Sequence, residues 1–375
     1  MKQIIFRPEI ERFDTCREFV REFCLDEQDL ILTNEFIYRP YFGELSIKAT
    51  VVFQEQYGAG EPSDEMVESI LRDADLSCFR RVIGIGGGTV MDIAKVLAVA
   101  GEAKLDPLYE QAPNFTRLRE LVLIPTTCGT GSEVTNIAVF ARTRLGVKMG
   151  LVSDSMYASS AVMIPELLSG LPFSVFASAS IDALVHAVES ILSPKATSYT
   201  KLFGYEAVKM ILKGYQRIAA EGKDARKELF GDFLTAANYA GLSFGTAGCA
   251  AVHALSYPLG SMYHVPHGES NYAIFMGVMR AYLELGEEGE LHRLGTFMAD
   301  VLGCPESDVW NHLETLLEQI LPLKPLCDYG VTEEDLSRFT ESVMTTQGRL
   351  MANNFTGLNR ECVLGIYRGL WKREP

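Results

Sequence analysis

The chain is short of positive charge: 34 lysines and arginines stand against 49 aspartates and glutamates, a formal net charge of −15 over 375 residues. Such a surface repels polyphosphate and excludes nucleic acid as the expected partner. It also means that a site for an anionic ligand must supply its own cation or dipole. No run approaches eighteen apolar residues without a charge, so no membrane span is expected. The apolar stretch near the start, Ile4–Phe6, meets Arg7 and Glu9 at once and is too short for a secretory h-region. The eight cysteines, Cys16, Cys24, Cys78, Cys128, Cys249, Cys304, Cys327 and Cys362, form no C-x-x-C pair. In a chain of this length they read as reduced thiols of a cytoplasmic protein, not as a disulfide framework or a zinc ribbon. Internal repeats and low-complexity linkers are also absent, and there are only six histidines.

What is present is an ordinary globular composition, 47% hydrophobic and 22% charged, with length for two or three domains. The first half alternates strand-like and helix-like segments. Leu30–Thr33, Ala49–Phe53, Arg81–Ile85, Glu120–Ile124, Lys148–Val152 and Ala161–Ile164 read as strands. Asp64–Ala74, capped by Ser63, and Thr89–Ala100 read as helices. Alternation of this kind predicts parallel βαβ units with both sheet faces covered. After Pro165 and Pro172 the periodicity changes. Trp310, Leu313, Leu317, Ile320 and Leu321 recur at helical spacing, as do Leu336, Phe339 and Val343 behind a Thr332–Asp335 capping pattern. The expected organisation is an α/β domain over residues 1–172 and an all-helical domain over residues 173–375.

Two loops carry nucleotide chemistry. Gly84-Ile-Gly-Gly-Gly-Thr-Val-Met-Asp92 joins a strand to a helix, so Gly86, Gly87 and Gly88 let the backbone approach a phosphate that also faces the helix N-terminus. Thr89 stands where the last glycine of G-x-G-x-x-G would be, so the dinucleotide fingerprint itself fails; a tight βα turn without ligand remains the alternative. Pro125–Glu133 follows a second strand, and Thr126, Thr127, Thr130 and Ser132 set four hydroxyls around two glycines. An ordinary Ser/Thr-rich turn is the alternative there. Two donor-rich loops after two strands of one sheet favour a dinucleotide at the strands' carboxyl ends. Asn34 ends the strand Leu30–Thr33. It can bind a ribose hydroxyl but does not repel a 2′-phosphate by charge, so NAD is expected and NADP is left open. Asp106 lies at the fingerprint distance but beside Pro107 in an apparent loop, and is set aside as a ribose ligand.

Asp182 and His186 lie four residues apart, on one face of a helix, a common way to offer two ligands to one ion. His253 sits in an apolar helical segment, where a lone histidine is more often a hydrogen-bonded core residue; the Asp/His pair weighs the other way. His267 follows Val265-Pro266. His264 is a rival ligand, whereas His292 and His312 have polar helical neighbours and read as surface residues. One aspartate and three imidazoles suit Fe²⁺ or Zn²⁺.

Together these motifs resemble the iron-containing, or group III, alcohol dehydrogenases, over essentially the whole chain. The triple-glycine loop ending at Asp92 and the Pro125–Glu133 run are similar to that family's two cofactor loops. Asp182, His186, His253 and His267 match its metal ligands in order and spacing. The resemblance implies a dehydroquinate synthase-like fold, an N-terminal dinucleotide domain, a helical metal domain, an active site between them, and a homodimer. It implies that Lys148 reaches the cofactor ribose. Tyr257 stands where many members carry a further histidine that relays protons, and Asn34 where many carry aspartate. The segments 34–38, 61–66, 125–137, 253–260 and 263–269 resemble the branch that interconverts 4-hydroxybutyrate and succinate semialdehyde. The implied partner is thus a small, carboxylate-bearing alcohol or aldehyde. Alternatives are an oxidoreductase for another small primary alcohol, or an NAD- and metal-dependent lyase or cyclase of the dehydroquinate synthase-like type.

Overall fold

A computed structural model describes residues 3–102, 104–286 and 288–372. The chain divides into two compact units, Phe6–Leu171 and a second that runs from Pro172 onward and takes in the N-terminal residues up to Ile5.

The first unit contains strands β1 (Glu9–Arg12), β2 (Asp29–Thr33), β3 (Thr50–Phe53), β4 (Arg81–Gly86), β5 (Glu120–Pro125), β6 (Ile137–Arg142), β7 (Val147–Val152) and β8 (Ser160–Met163). Its helices are α1 (Cys16–Phe23), α2 (Glu35–Phe42), α3 (Asp64–Asp73), α4 (Gly88–Val99) and α5 (Asp106–Gln111). Six strands form a parallel sheet in the order β1-β8-β5-β4-β2-β3. Successive side chains of a strand point to opposite faces, and the two faces have separate cores. Leu30, Leu32, Val82, Leu121 and Leu123 pack with Val67, Ile70, Ile93 and Leu97 of α3 and α4. Ile31, Ile83, Ile85, Val122 and Ile124 pack with Phe19, Ile37 and Phe42 of α1 and α2. This is why the central strands read as unbroken apolar runs: both faces are covered.

Some elements differ from the sequence expectation. Lys148–Val152 does not extend the parallel sheet; β7 pairs antiparallel with β6, Ile137 opposite Val152. The edge strand β1, sequence EIER, has no apolar pattern and is mostly exposed, so nothing local marks it. Asp106 is not in a loop but opens α5, where Pro107 in the first turn is tolerated because its missing N–H has no intrahelical partner there, and its carboxylate pairs with Arg142.

The second unit is helical throughout the described residues. It contains α6 (Phe173–Leu192), α7 (Ser198–Glu221), α8 (Phe230–Ala247), α9 (Ala251–Tyr263), α10 (His267–Leu285), α11 (Glu290–Leu302), α12 (Val309–Ile320), α13 (Glu333–Thr346), α14 (Gly348–Met351) and α15 (Arg360–Trp371). Cys249 and Ala250 precede α9, the helix that carries His253. The capping box expected at Thr332–Asp335 opens α13. By length and composition α6 could cross a membrane, but most of it is buried inside this unit. It is therefore a core helix, apolar all round, and its few polar side chains are the ones that matter below.

Candidate active site

In the first unit the glycine turn joins β4 to α4. Gly86 ends the strand, Gly87 caps the helix without a side chain, and Gly88 is its first residue. The leading N–H groups of α4 therefore have no side-chain acceptor, and the positive end of the helix dipole lies bare. A Cβ on Gly86 would lie 2.5 Å from Val90, so only glycine lets the chain turn this tightly onto α4. A Cβ on Gly88 would lie 3.0 Å from Thr130, and one on Gly87 3.7 Å from Thr127. The second loop thus lies directly against the first. Register accounts for it: Gly86 is paired with Pro125, so both loops leave the sheet at the same level from neighbouring strands.

The other residues expected here have partners within the same unit. Thr126 is buried, its N–H donating to the Gly86 carbonyl at 3.1 Å. Thr89 donates its hydroxyl to the Gly60 carbonyl at 3.1 Å. Asp92 accepts from the Ser132 hydroxyl at 2.6 Å and from the Val139 N–H at 2.8 Å, so both its oxygens pin the second loop and β6. Lys148 pairs with Glu61 at 2.7 Å. Asn34 donates its amide to Gln54 at 3.1 Å and to Glu55 at 2.9 Å. Sequence reasoning missed Lys95, which is wholly buried and donates to Ser132, Thr135 and the Ile137 carbonyl. Burial lowers its pKa, against the opposing pull of Asp92 and Glu133. The signal was there: a lysine three residues after Asp92 in an otherwise apolar helix needs partners.

In the second unit, helices α6, α9 and α10 bring Asp182, His186, His253 and His267 together. One donor atom from each lies within 4.8 Å of all the others. His267 Nε2 and His253 Nε2 stand 3.8 and 3.9 Å from Asp182 Oδ1. The Nε2 atoms of His186 and His253 are 2.9 Å apart. Two imidazole nitrogens at that distance either share one proton or face one cation. His267 opens α10, and Gly268 makes its position possible, because a Cβ there would lie 2.4 Å from the Ser178 carbonyl oxygen of α6. His264 is not in the cluster; it ends α9 in a left-handed conformation, φ 54°.

The residues fit a divalent ion. The carboxylate and three imidazoles are the donor set that Fe²⁺ or Zn²⁺ takes. His186 keeps a buried Nδ1 with no hydrogen-bond partner. Glu189, on α6 and missed by sequence reasoning, accepts from His253 Nδ1 at 2.7 Å. That bond puts the His253 proton on Nδ1 and leaves Nε2 as a lone-pair donor aimed at the cluster. The same carboxylate accepts the N–H groups of Ala250 (3.0 Å) and Val252 (2.6 Å), so it also caps α9, which has no capping side chain of its own. Asn271, one turn after His267, donates to Asp182 Oδ1 at 2.7 Å and accepts from Ser256. Its amide holds the Asp182 carboxylate in place.

The electrostatics follow the same pattern. Burial pushes the Asp182 carboxyl up, but His186, His267 and His253 outweigh that and bring it down to about 2. Burial raises the Cys249 thiol, yet His253 and His186 draw it down to about 7. Asp182, His186 and His253 are almost fully buried, whereas the His267 side chain is 30% exposed. The cluster is thus open on the His267 side. Tyr257, one turn after His253 on α9, faces that side, its ring centre 6.4 Å from that of His267.

Comparison with known proteins agrees with both halves. Residues 7–165 match the family model for iron-containing alcohol dehydrogenase, and residues 176–371 match the model for the C-terminal part of the Fe-containing alcohol dehydrogenase family. The chain is 43% identical over 371 residues to 4-hydroxybutyrate dehydrogenase of Clostridium kluyveri, covering 99% of this chain and 100% of that one. Its fold is similar to the crystal structure of a 1,3-propanediol oxidoreductase, with a TM-score of 0.83, 23% identity and coverage of 98% and 99%. It is likewise similar to sulfoacetaldehyde reductase from Bifidobacterium kashiwanohense in complex with NAD+, with a TM-score of 0.81, 21% identity and full coverage of both chains. The chain belongs to the iron-containing alcohol dehydrogenase family.

Proposed function

We propose that this enzyme interconverts 4-hydroxybutyrate and succinate semialdehyde with a nicotinamide dinucleotide, NAD in preference to NADP. Asp182, His186, His253 and His267 would hold its Fe²⁺ or Zn²⁺. The observation that carries the reading is the convergence of those four donors in a chain similar along its length to a 4-hydroxybutyrate dehydrogenase. A divalent ion at this point supplies a Lewis acid that stabilises negative charge on the reacting oxygen by several kcal/mol. The Asp182 carboxylate supplies the anionic charge that keeps such an ion in a buried place. Glu189 and Asn271 fix the directions of His253 and Asp182, so the ligand geometry is set before substrate arrives. The bare N-terminus of α4 and the turn Gly86–Gly88 suit a pyrophosphate, with the hydroxyls of Thr127 and Thr130 as further donors. Orientation of hydride donor and acceptor supplies much of the rate. Tyr257, beside His267 on the open side, is placed to hold or move the proton that the reduced oxygen takes up. The reading carries with it a cytoplasmic homodimer.

The test is a panel of small aldehydes, succinate semialdehyde among them, with NADH and with NADPH on metal-reconstituted protein. Net oxidation of NADH with succinate semialdehyde as the best substrate is expected. Faster reduction of an uncharged aldehyde would refute the substrate. A lyase that recycles its nucleotide within each turnover would give no net NADH change with any of them.

A further inference from the structure

We infer that Glu55, not Asn34, is the acid that reads the cofactor's adenosine ribose and sets NAD apart from NADP; the inference rests on the nicotinamide reading above. In sheets of this type the residue that meets the ribose ends a strand next to the one bearing the glycine turn. Here that strand is β2, which pairs with β4 so that Thr33 is level with Ile85, and Asn34 follows at the position of the missing acid. On its other side β2 pairs with β3, Thr33 level with Phe53, and Gln54 and Glu55 follow in a 3-10 turn. Glu55 therefore leaves the sheet edge one strand beyond Asn34, on the same carboxyl side as Gly86–Gly88.

The side chains bear this out. Asn34 spends its amide N–H groups on Gln54 Oε1 and Glu55 Oε2. The reverse orientation of the amide would set its oxygen against two other acceptor oxygens, so the network fixes it. Those two bonds use the amide nitrogen and leave the Asn34 side-chain oxygen as an acceptor. Glu55 Oε1 also accepts the Glu35 N–H at 2.6 Å, the first N–H of α2. A carboxylate has about four acceptor positions, and these bonds leave room for a hydroxyl donor. Glu55 is exposed, and among the described residues no lysine or arginine forms an ion pair with it. The two cations between Asn34 and Glu55, Arg39 and Lys48, pair with Glu35 and Glu27. The corner thus offers acceptors and an uncompensated negative charge. That suits a ribose 2′-hydroxyl, which donates, and opposes a 2′-phosphate, which is dianionic. The missing aspartate at Asn34 is replaced by a glutamate reaching in from the next strand.

Glu55 could instead serve only to hold the N-terminus of α2. The two roles separate in the ratio of affinities, since a helix support lost affects both dinucleotides alike. The experiment is titration of the metal-loaded full chain with NADH and, separately, NADPH, following the cofactor's own fluorescence, for the wild type, Glu55→Gln, Glu55→Asp and Glu55→Lys. At a few ångströms through water, one charge against a phosphate dianion gives a discrimination of about tenfold, falling with added salt. Wild type and Glu55→Asp should prefer NADH. In Glu55→Gln the ratio of NADPH to NADH dissociation constants should fall about tenfold, and further in Glu55→Lys. Weakening of both cofactors with an unmoved ratio overturns the inference alone, as does a wild type that binds the two equally. A wild type that binds neither overturns the nicotinamide reading and the inference with it.

Discussion

Replacing Glu189 with glutamine tests how far the metal centre depends on a residue that does not touch the ion. The carboxylate takes three N–H donors: His253 Nδ1 and Ala250 on one oxygen, Val252 on the other. Glutamine has the same shape but only one acceptor. If its oxygen keeps His253 and Ala250, its NH₂ group faces the Val252 N–H, donor against donor. If it turns over, His253 loses the acceptor that fixes its tautomer. Either way one hydrogen bond to a charged group is lost in a buried place, a cost of about 1.5–3 kcal/mol. Much of it should fall on metal binding, because His253 is a proposed ligand and α9 positions it. That corresponds to about 10–100-fold in metal affinity, the range seen for partners of metal-bound histidines. Competition against a chelator of known affinity measures it, with circular dichroism as a control for folding. Wild-type metal affinity in a folded Glu189→Gln variant would refute the reasoning. It would mean that the hydrogen bond to His253 orients nothing the ion feels.

Gly268→Ala should weaken metal binding and lower stability by roughly 1–3 kcal/mol, because the new Cβ meets the Ser178 carbonyl oxygen at 2.4 Å and must push His267 away from α6; chelator competition and urea unfolding check both. A pH dependence is expected away from the site. Hydrogen bonds from Thr332 and Tyr263 hold the Asp335 carboxyl at about 2, below its ordinary value of 3.8. A depressed carboxyl stabilises the fold above its unfolded pKa and loses that contribution as pH falls through its folded one. Asp335→Asn should thus lower the urea midpoint at pH near neutrality, by a capping contribution of about 1 kcal/mol, and the difference from wild type should shrink as pH falls from about 4 toward 2. An equal difference at all pH values would show that the charge is not what matters.

What the sequence made legible follows physical lines. The parallel strands were readable because burial on both faces leaves unbroken apolar runs such as LILT and ELVLI. The hairpin β6–β7 was not, since pairing direction depends on where the chain returns and not on composition. Strand β1, polar at an edge, carried no signal. At the proposed metal centre the i, i+4 pair Asp182/His186 gave two candidate ligands, and resemblance to the family aligned His253 and His267 with them. Nothing local distinguishes Glu189 from the chain's other acids. Its role comes from the approach of α9 to α6, a tertiary fact. The same holds for the bonds of Asp92 to Ser132 and Val139, which its place after the glycines did not announce. Asn34 was legible as a strand end, but the acid its amide meets comes from the next strand, twenty-one residues on.

The central claim is that Asp182, His186, His253 and His267 hold one ion. X-ray absorption spectroscopy of the iron-loaded chain addresses it directly. The account predicts outer-shell scattering from three imidazoles, and from two when His267 is replaced by alanine, together with weaker retention of the iron. An iron spectrum with no imidazole scattering, or one that His267→Ala leaves unchanged, would contradict it.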